Sequence, residues 1–180
     1  IFVIIFLSDQ SMQFVKHLLN HGSAASSSTK WTESMGKLTK FKMNDIEGKV
    51  FDFAQLQGKA VIITNIACEC GFTNGGLGHL TKWKKELKDE PFEVIAFSSN
   101  SFNQEKKSGA EVKEYIDEHF GLNFPVMETS DVNGENTNEV YKWLKQSFEG
   151  DISWNFSAYF LINPEGIPIQ RFEKDCFNHL

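Results

Sequence analysis

Two of the chain's three cysteines, Cys68 and Cys70, stand two positions apart in "NIACECGFT" (65–73), where an apolar run ends. Sulfur at that spacing admits a disulfide clip, a metal clamp or a reactive thiolate. A disulfide between the two would close a tight ring, and the usual Cα separation of about 4.4–6.8 Å is hard to combine with unstrained backbone there. A metal clamp wants a second C-x-C or paired histidines, and the only histidine close in sequence is His79, read as a helix-surface residue. A nucleophile wants a different setting. Cys70 leads toward Asn74, a residue suited to cap the helix that follows. The unsatisfied N–H groups and positive dipole end of a helix N-terminus favour a thiolate over a thiol, and the thiolate is the form that attacks. Gly71 would let a substrate approach the sulfur closely. The competing reading is a buried, inert cysteine. Cys68 stays open between an inert thiol, a redox partner of Cys70 and a metal ligand. Alternation along an extended chain would put both sulfurs on one side.

The elements that must position Cys70 can be read around it. "AVIITNI" (60–66) is apolar and β-branched nearly throughout, as a strand covered on both faces is. After the cysteines, Leu77, Leu80, Trp83 and Leu87 recur at helical spacing. "FEVIAFS" (92–98) is a second buried strand, and Val112, Tyr115, Ile116 and Phe120 share one face of a second helix. "DVNG" (131–134) is turn chemistry, and Val140, Tyr141, Leu144 and Phe148 mark a third helix. Upstream, "KFKM" and "KVFDF" flank "NDIEG" as a hairpin; downstream, "SAYFLINPEGIPIQRF" reads as two strands joined at Pro-Glu-Gly. A βαβ opening, a further helix and a closing hairpin predict an α/β fold with a central mixed sheet. In such a sheet, chemistry gathers where strands end and helices begin.

Composition sets outer limits. A chain of 180 residues with 41% hydrophobic residues and 17 Phe is a cored globular protein of one domain. The net charge of −6, with no basic stripe, argues against nucleic acid as a partner; "KWKKELK" (82–88) is read as a solvated helix face. Three cysteines do not make a secreted disulfide framework, which points to a reducing compartment. "IFVIIFL" (1–7) is too short to span a bilayer, so no stable membrane insertion is expected. Residues 12–30 are Ser-rich, carry Lys16 and Lys30 and hold no acid. Residues 1–30 are therefore read as an N-terminal extension, a targeting or disordered segment, and 31–180 as the folded domain. The compartment expected is the cytoplasm, or an organelle such as the mitochondrion if 12–30 act in transit.

Three stretches now bear together. "VIITNIACECGFT" resembles the N-V-A-S-x-C-G-x-T segment of the glutathione peroxidase family. "FEVIAFSSNSFNQE" resembles its A-F-P-C-N-Q-F-x-x-Q-E block, and "WNFSAYFLINPEG" its W-N-F-x-K-F-L-x-x-x-G block, all in the family's order from about Lys37 to Phe172. The resemblance implies a thioredoxin-like fold and a thiol-dependent peroxidase that reduces hydrogen peroxide and organic or lipid hydroperoxides. It puts the peroxide-reactive position on Cys70, with Gln104, Trp154 and Asn155 beside it. An indole N–H and two amides can donate to sulfur and to a developing oxyanion without titrating themselves. The product would be a Cys70 sulfenic acid, reduced by glutathione or a thioredoxin-like dithiol. No cofactor or metal is implied. A redox relay, passing oxidation from Cys70 to a protein thiol, is the alternative, and a member that kept the fold but lost efficient turnover is a third.

The departures are specific. One residue, not two, separates Phe102 from Gln104; Ser98-Ser99 replaces Pro-Cys, Ser101 replaces Gln, and Ala158 replaces Lys. Asp117 lies in the helix where thioredoxin-dependent members keep a resolving cysteine. That leaves Cys176 and Cys68 as candidate resolving thiols, beside an external thiol. Only nine residues separate Lys145 from Asn155, too few for the insertion of tetrameric members, so a monomer is expected. The Cys70 loop is expected to be partly exposed.

Overall fold

The computed structural model describes residues 29–173 and, apart from them, Lys16. Most of the expected N-terminal extension, and Cys176 with it, lie outside the described residues. A five-stranded mixed sheet forms the centre, in the order β5-β4-β3-β6-β7. Its strands are β3 (Ala60–Ile66), β4 (Phe92–Ser98), β5 (Val126–Met127), β6 (Ala158–Ile162) and β7 (Pro168–Glu173). A two-stranded hairpin, β1 (Lys42–Asn44) with β2 (Val50–Asp52), precedes it. Within the described residues 29–173, three α-helices complete the fold: α1 (Thr73–Glu86), α2 (Gly109–Phe120) and α3 (Glu139–Ser147). No described helix is long and apolar enough to cross a membrane.

β3 explains the layers. All seven of its residues are buried, and because successive side chains point to opposite faces, they feed two separate cores. Ile62 and Ile66 join Leu77, Leu80 and Trp83 of α1 and Val112 and Ile116 of α2. Val61 and Ile63 join Val140, Tyr141, Trp143 and Leu144 of α3, with Leu38, Phe41 and Phe53 from the segment before the sheet. Two helices on one face and one on the other make the expected α/β sandwich. Each fully buried Ile or Leu contributes about 1.5–3 kcal/mol relative to exposure. Lys84, in the basic run of α1, pairs with Glu93 on β4 at 2.8 Å, so that run is not a free cationic stripe.

Local chemistry fixes the helix starts. Ser108 and Glu111 form a reciprocal capping box on α2, and Asn138 accepts the Tyr141 N–H at the head of α3. α3 ends one residue earlier than its apolar spacing suggests: Phe148 is buried but extended. Asn74, expected to cap α1, is exposed and does not; the N-cap position falls to Phe72, whose ring offers no acceptor for a cap bond. β5 is a finding beyond the sequence pattern. Its two residues are strand only through their neighbours, pairing in parallel with β4 while Met127 bridges Asp45 and Val126 accepts the Ile46 N–H at 2.8 Å.

The hairpin also meets α2 at Gly109, where an added Cβ would lie 2.4 Å from the Ile46 carbonyl oxygen. That contact is with backbone and cannot be relieved by a rotamer change. Gly109→Ala should therefore lower unfolding free energy by about 1–3 kcal/mol, seen as a lower urea midpoint at unchanged slope.

Candidate active site

The pairing of β3 decides where the site lies. β4 runs parallel to it, with Asn65 opposite Phe97 and Ile66 opposite Ser98, so both strands end together. β6 runs antiparallel, with Thr64 opposite Tyr159, so the segment entering β6 arrives at that same end. Three loops thereby meet: 67–72 after β3, 99–107 after β4, and 153–157 before β6.

The first loop carries the cysteines and is closed by Thr73. Its Oγ1 donates to the Ala67 carbonyl at 2.7 Å and accepts the Cys70 N–H at 3.2 Å, while its own N–H donates to the Cys70 carbonyl at 3.0 Å. Cys70 Sγ accepts the Phe72 N–H at 3.4 Å, immediately before α1. The sulfur thus sits at a helix N-terminus, as expected, though the arrangement rests on Thr73 rather than Asn74. Cys70 is only 7% exposed, against the expectation of a partly exposed loop. Closure by Thr73 and packing in the α1–α2 core account for that.

The second loop turns sharply at Asn103. Asn103 donates its N–H to the Asn100 carbonyl at 3.0 Å and takes a left-handed conformation (φ 57°), which asparagine tolerates better than most residues. Asn100 Oδ1 then accepts the Glu105 N–H at 3.0 Å. The turn delivers Gln104 to the cysteine loop: its carbonyl accepts the Glu69 N–H at 3.0 Å, and its Oε1 accepts Asn155 Nδ2 at 3.1 Å.

The third loop holds Trp154 and Asn155. Phe156 follows at φ 59°, and its N–H donates to the Asn65 carbonyl at 2.9 Å. Its ring lies so close to α1 that a Cβ on Gly76 would fall 2.3 Å from it. Trp154 is half-buried, with its ring centroid 5.2 Å from that of Phe102, which joins the second and third loops. Asn155 is fully buried and accepts Asn65 Nδ2 at 2.9 Å. Cys70, Gln104, Trp154 and Asn155 come from three loops gathered at one end of the sheet.

Cys68 has different surroundings. Its N–H donates to Glu105 Oε2 at 2.8 Å, and Glu105, 3% exposed, takes the Lys107 N–H on its other oxygen at 3.2 Å. Burial above all, then the hydrogen bond and negative charge of Glu105, push the Cys68 thiol well above its ordinary range. Both cysteines are free thiols. Among the described residues, no three His, Cys, Asp or Glu side chains form a cluster able to hold a metal ion. Glu105, Asn65 and Thr73 are site residues to which the sequence reading gave no role. The signal for Asn65 was an amide inside an otherwise apolar strand, since a buried amide must find partners.

The model of the glutathione peroxidase family matches residues 38–145. The chain belongs to the glutathione peroxidase family. It is similar to glutathione peroxidase 1 of Helianthus annuus, 36% identical over 81% of this chain and 87% of that one. It is also similar to a glutathione peroxidase-like peroxiredoxin of Saccharomyces cerevisiae, 38% identical over 78% of this chain and 88% of the other. Among solved structures, T. cruzi GPX1 superposes with a TM-score of 0.63 at 31% identity, covering 77% of this chain and 86% of that chain. A thioredoxin family protein from Chlorobium tepidum, at 21% identity and a TM-score of 0.57, shows the shared thioredoxin-like fold.

The Glu105 clamp makes a prediction within this glutathione peroxidase fold. Glu105→Gln leaves one accepting oxygen for two N–H groups and should cost about 1–3 kcal/mol of stability. It also removes the negative charge beside Cys68, so that thiol should ionise at lower pH than in the unchanged protein. Alkylation of Cys68 across pH, resolved by peptide mass spectrometry, should show its profile moving toward neutrality. An unmoved profile would mean that burial alone holds the proton.

Proposed function

We propose that the protein is a thiol-dependent peroxidase in which Cys70 is the peroxide-reactive sulfur. The observation that carries this reading is the Cys70 sulfur accepting the Phe72 N–H at the start of α1, at the end of the sheet where the loops of Gln104 and of Trp154 and Asn155 also gather. The thiolate attacks one oxygen of the hydroperoxide; an S–O bond forms as the O–O bond breaks. The departing oxygen leaves as an alcohol, or as water from hydrogen peroxide, after taking a proton. Sulfur is oxidised by two electrons to the sulfenic acid. One thiol then condenses with it, releasing water, and a second thiol releases Cys70 as a disulfide of the reductant forms. Amide and indole N–H groups stabilise the charge that builds on the leaving oxygen.

The substrate class is hydroperoxides, with hydrogen peroxide and organic or lipid hydroperoxides all admitted. The reductant is glutathione or a thioredoxin-like dithiol. Cys68 is poorly suited to resolve the sulfenic acid, because its proton is held by burial and by Glu105. That favours an external thiol, with Cys176 as the internal competitor. The short connection between α3 and the Trp154 loop supports a monomer; the three cysteines favour a reducing site of action, the cytoplasm, or the mitochondrion if residues 12–30 act in transit.

Cys70→Ser should abolish peroxide consumption while leaving the thermal unfolding curve nearly unchanged, since the two side chains are close in volume. Retention of more than a few per cent of activity would move the nucleophile elsewhere. In the Cys68→Ser, Cys176→Ser double variant, glutathione should still sustain slow turnover. Complete loss with every reductant, while Cys70 still forms a sulfenic acid, would make an internal cysteine the resolver.

A further inference from the structure

Asn65 lies at the C-terminal end of β3 with no solvent exposure, and the mechanism above gives its side chain no part. Its Nδ2 donates to the main-chain carbonyl of Trp154 at 3.4 Å and to Asn155 Oδ1 at 2.9 Å. Asn155, equally buried, donates through Nδ2 to Gln104 Oε1 at 3.1 Å. Three amides thus form a row from the central strand to the site.

Such a row has a direction. A side-chain amide donates at one end and accepts at the other, and the neighbour's chemistry decides which end faces it. The Trp154 carbonyl can only accept, so it holds the nitrogen of Asn65 toward the third loop. Asn155 must then turn its oxygen to Asn65 and its nitrogen to Gln104. Gln104 in turn must present its oxygen to Asn155, which leaves Nε2 as the end directed away. Reversal would set Asn65 Oδ1 against the Trp154 carbonyl, two acceptors face to face in a buried setting.

We infer that Asn65 is a positioning residue for peroxide reduction, acting through Asn155 to fix the Gln104 amide so that it offers a donor, not an acceptor, to the developing oxyanion. This rests on the peroxidase reading. Gln104 is already tied to the cysteine loop through the Glu69 N–H, so its position is set by backbone and its polarity by Asn65. The wrong polarity would place a carbonyl oxygen where negative charge accumulates, turning a stabilising group into a repelling one.

A double-mutant cycle separates this role from packing. The measured quantity is the loss of the Cys70 thiol when reduced protein meets hydrogen peroxide in a single turnover, with no reductant present. Asn65→Leu should slow that step about tenfold, the effect of one misdirected hydrogen bond. Gln104→Ala should slow it about a hundredfold. The double variant should be no slower than Gln104→Ala, because with Gln104 gone there is nothing left to orient. Losses that multiply would overturn the inference and assign Asn65 to the fold alone. So would Asn65→Leu oxidising at the unchanged rate. If Asn65→Leu does not give a cooperative unfolding transition, Asn65→Ser enters the same cycle; failure of both to fold also counts against the inference. Unchanged protein whose Cys70 thiol survives peroxide would instead fail the peroxidase reading, and this inference with it. Normal oxidation with a multiplicative cycle sinks the inference alone.

Discussion

β3 is hydrogen-bonded along both edges with opposite senses, parallel to β4 and antiparallel to β6. A purely parallel sheet would bring together only the loops that leave strands. The mixed arrangement adds a loop that enters one, so the ends of β3 and β4 and the beginning of β6 fall side by side. The cysteine loop, the Gln104 turn and the Trp154–Asn155 segment are therefore neighbours by topology, although they are far apart in sequence. The hydrophobic cores on both faces hold β3 in register, since slipping by one residue would exchange Ile62 and Ile66 with Val61 and Ile63 between two differently shaped environments.

That convergence carries a cost in buried polar groups. Asn65, Asn155, Thr73 and Glu105 are all at most 3% exposed, and each unpartnered buried polar group would be expensive. The three loops answer by satisfying most of these groups in one another, Asn65 Oδ1 excepted. Thr73 closes the first on itself, Glu105 of the second takes an N–H from the first, and Asn155 of the third donates to Gln104 of the second while accepting from Asn65. Most of these partners face a group that can only donate or only accept, so alternative pairings lose bonds outright. The rigidity of the site then follows from burial and donor–acceptor accounting, without a disulfide or a metal among the described residues.

Much of this was legible in the chain. The runs "AVIITNI" and "FEVIAFS" coincide with β3 and β4 because strands buried on both faces leave an unbroken apolar record. The helices were visible because their buried stripes recur at helical spacing. What escaped the pattern was set by tertiary partners. β5 has only two residues and takes its pairing from β4 and Asp45. Asn74 has the right chemistry for a cap, but the preceding loop is already closed by Thr73, and Asn74 is left in solvent. Between Phe102 and Gln104, Asn103 turns the chain in a left-handed conformation, which spacing alone does not reveal. The same holds for the roles of Asn65 and Glu105, whose meaning lies in partners 90 and 37 positions away.

The two cysteines show how far environment outweighs sequence proximity. Both are 7% exposed and both belong to the same core, so solvent access does not distinguish them. Their neighbours do. Cys70 Sγ meets a backbone N–H at the start of α1, a donor that interacts more favourably with an anion than with a neutral thiol. Cys68 meets a buried carboxylate, which accepts from its main chain and repels negative charge on its sulfur. The C-x-C spacing thus brings two sulfurs close in the chain while the loop between β3 and α1 gives them different neighbours. Glu105 adds to the effect of burial at Cys68, and it is held in place by the Asn100 turn that also positions Gln104. The turn that holds Glu105 against the Cys68 N–H also ties Gln104 to the Glu69 N–H and to Asn155, so a change that loosens the second loop reaches the whole cysteine loop.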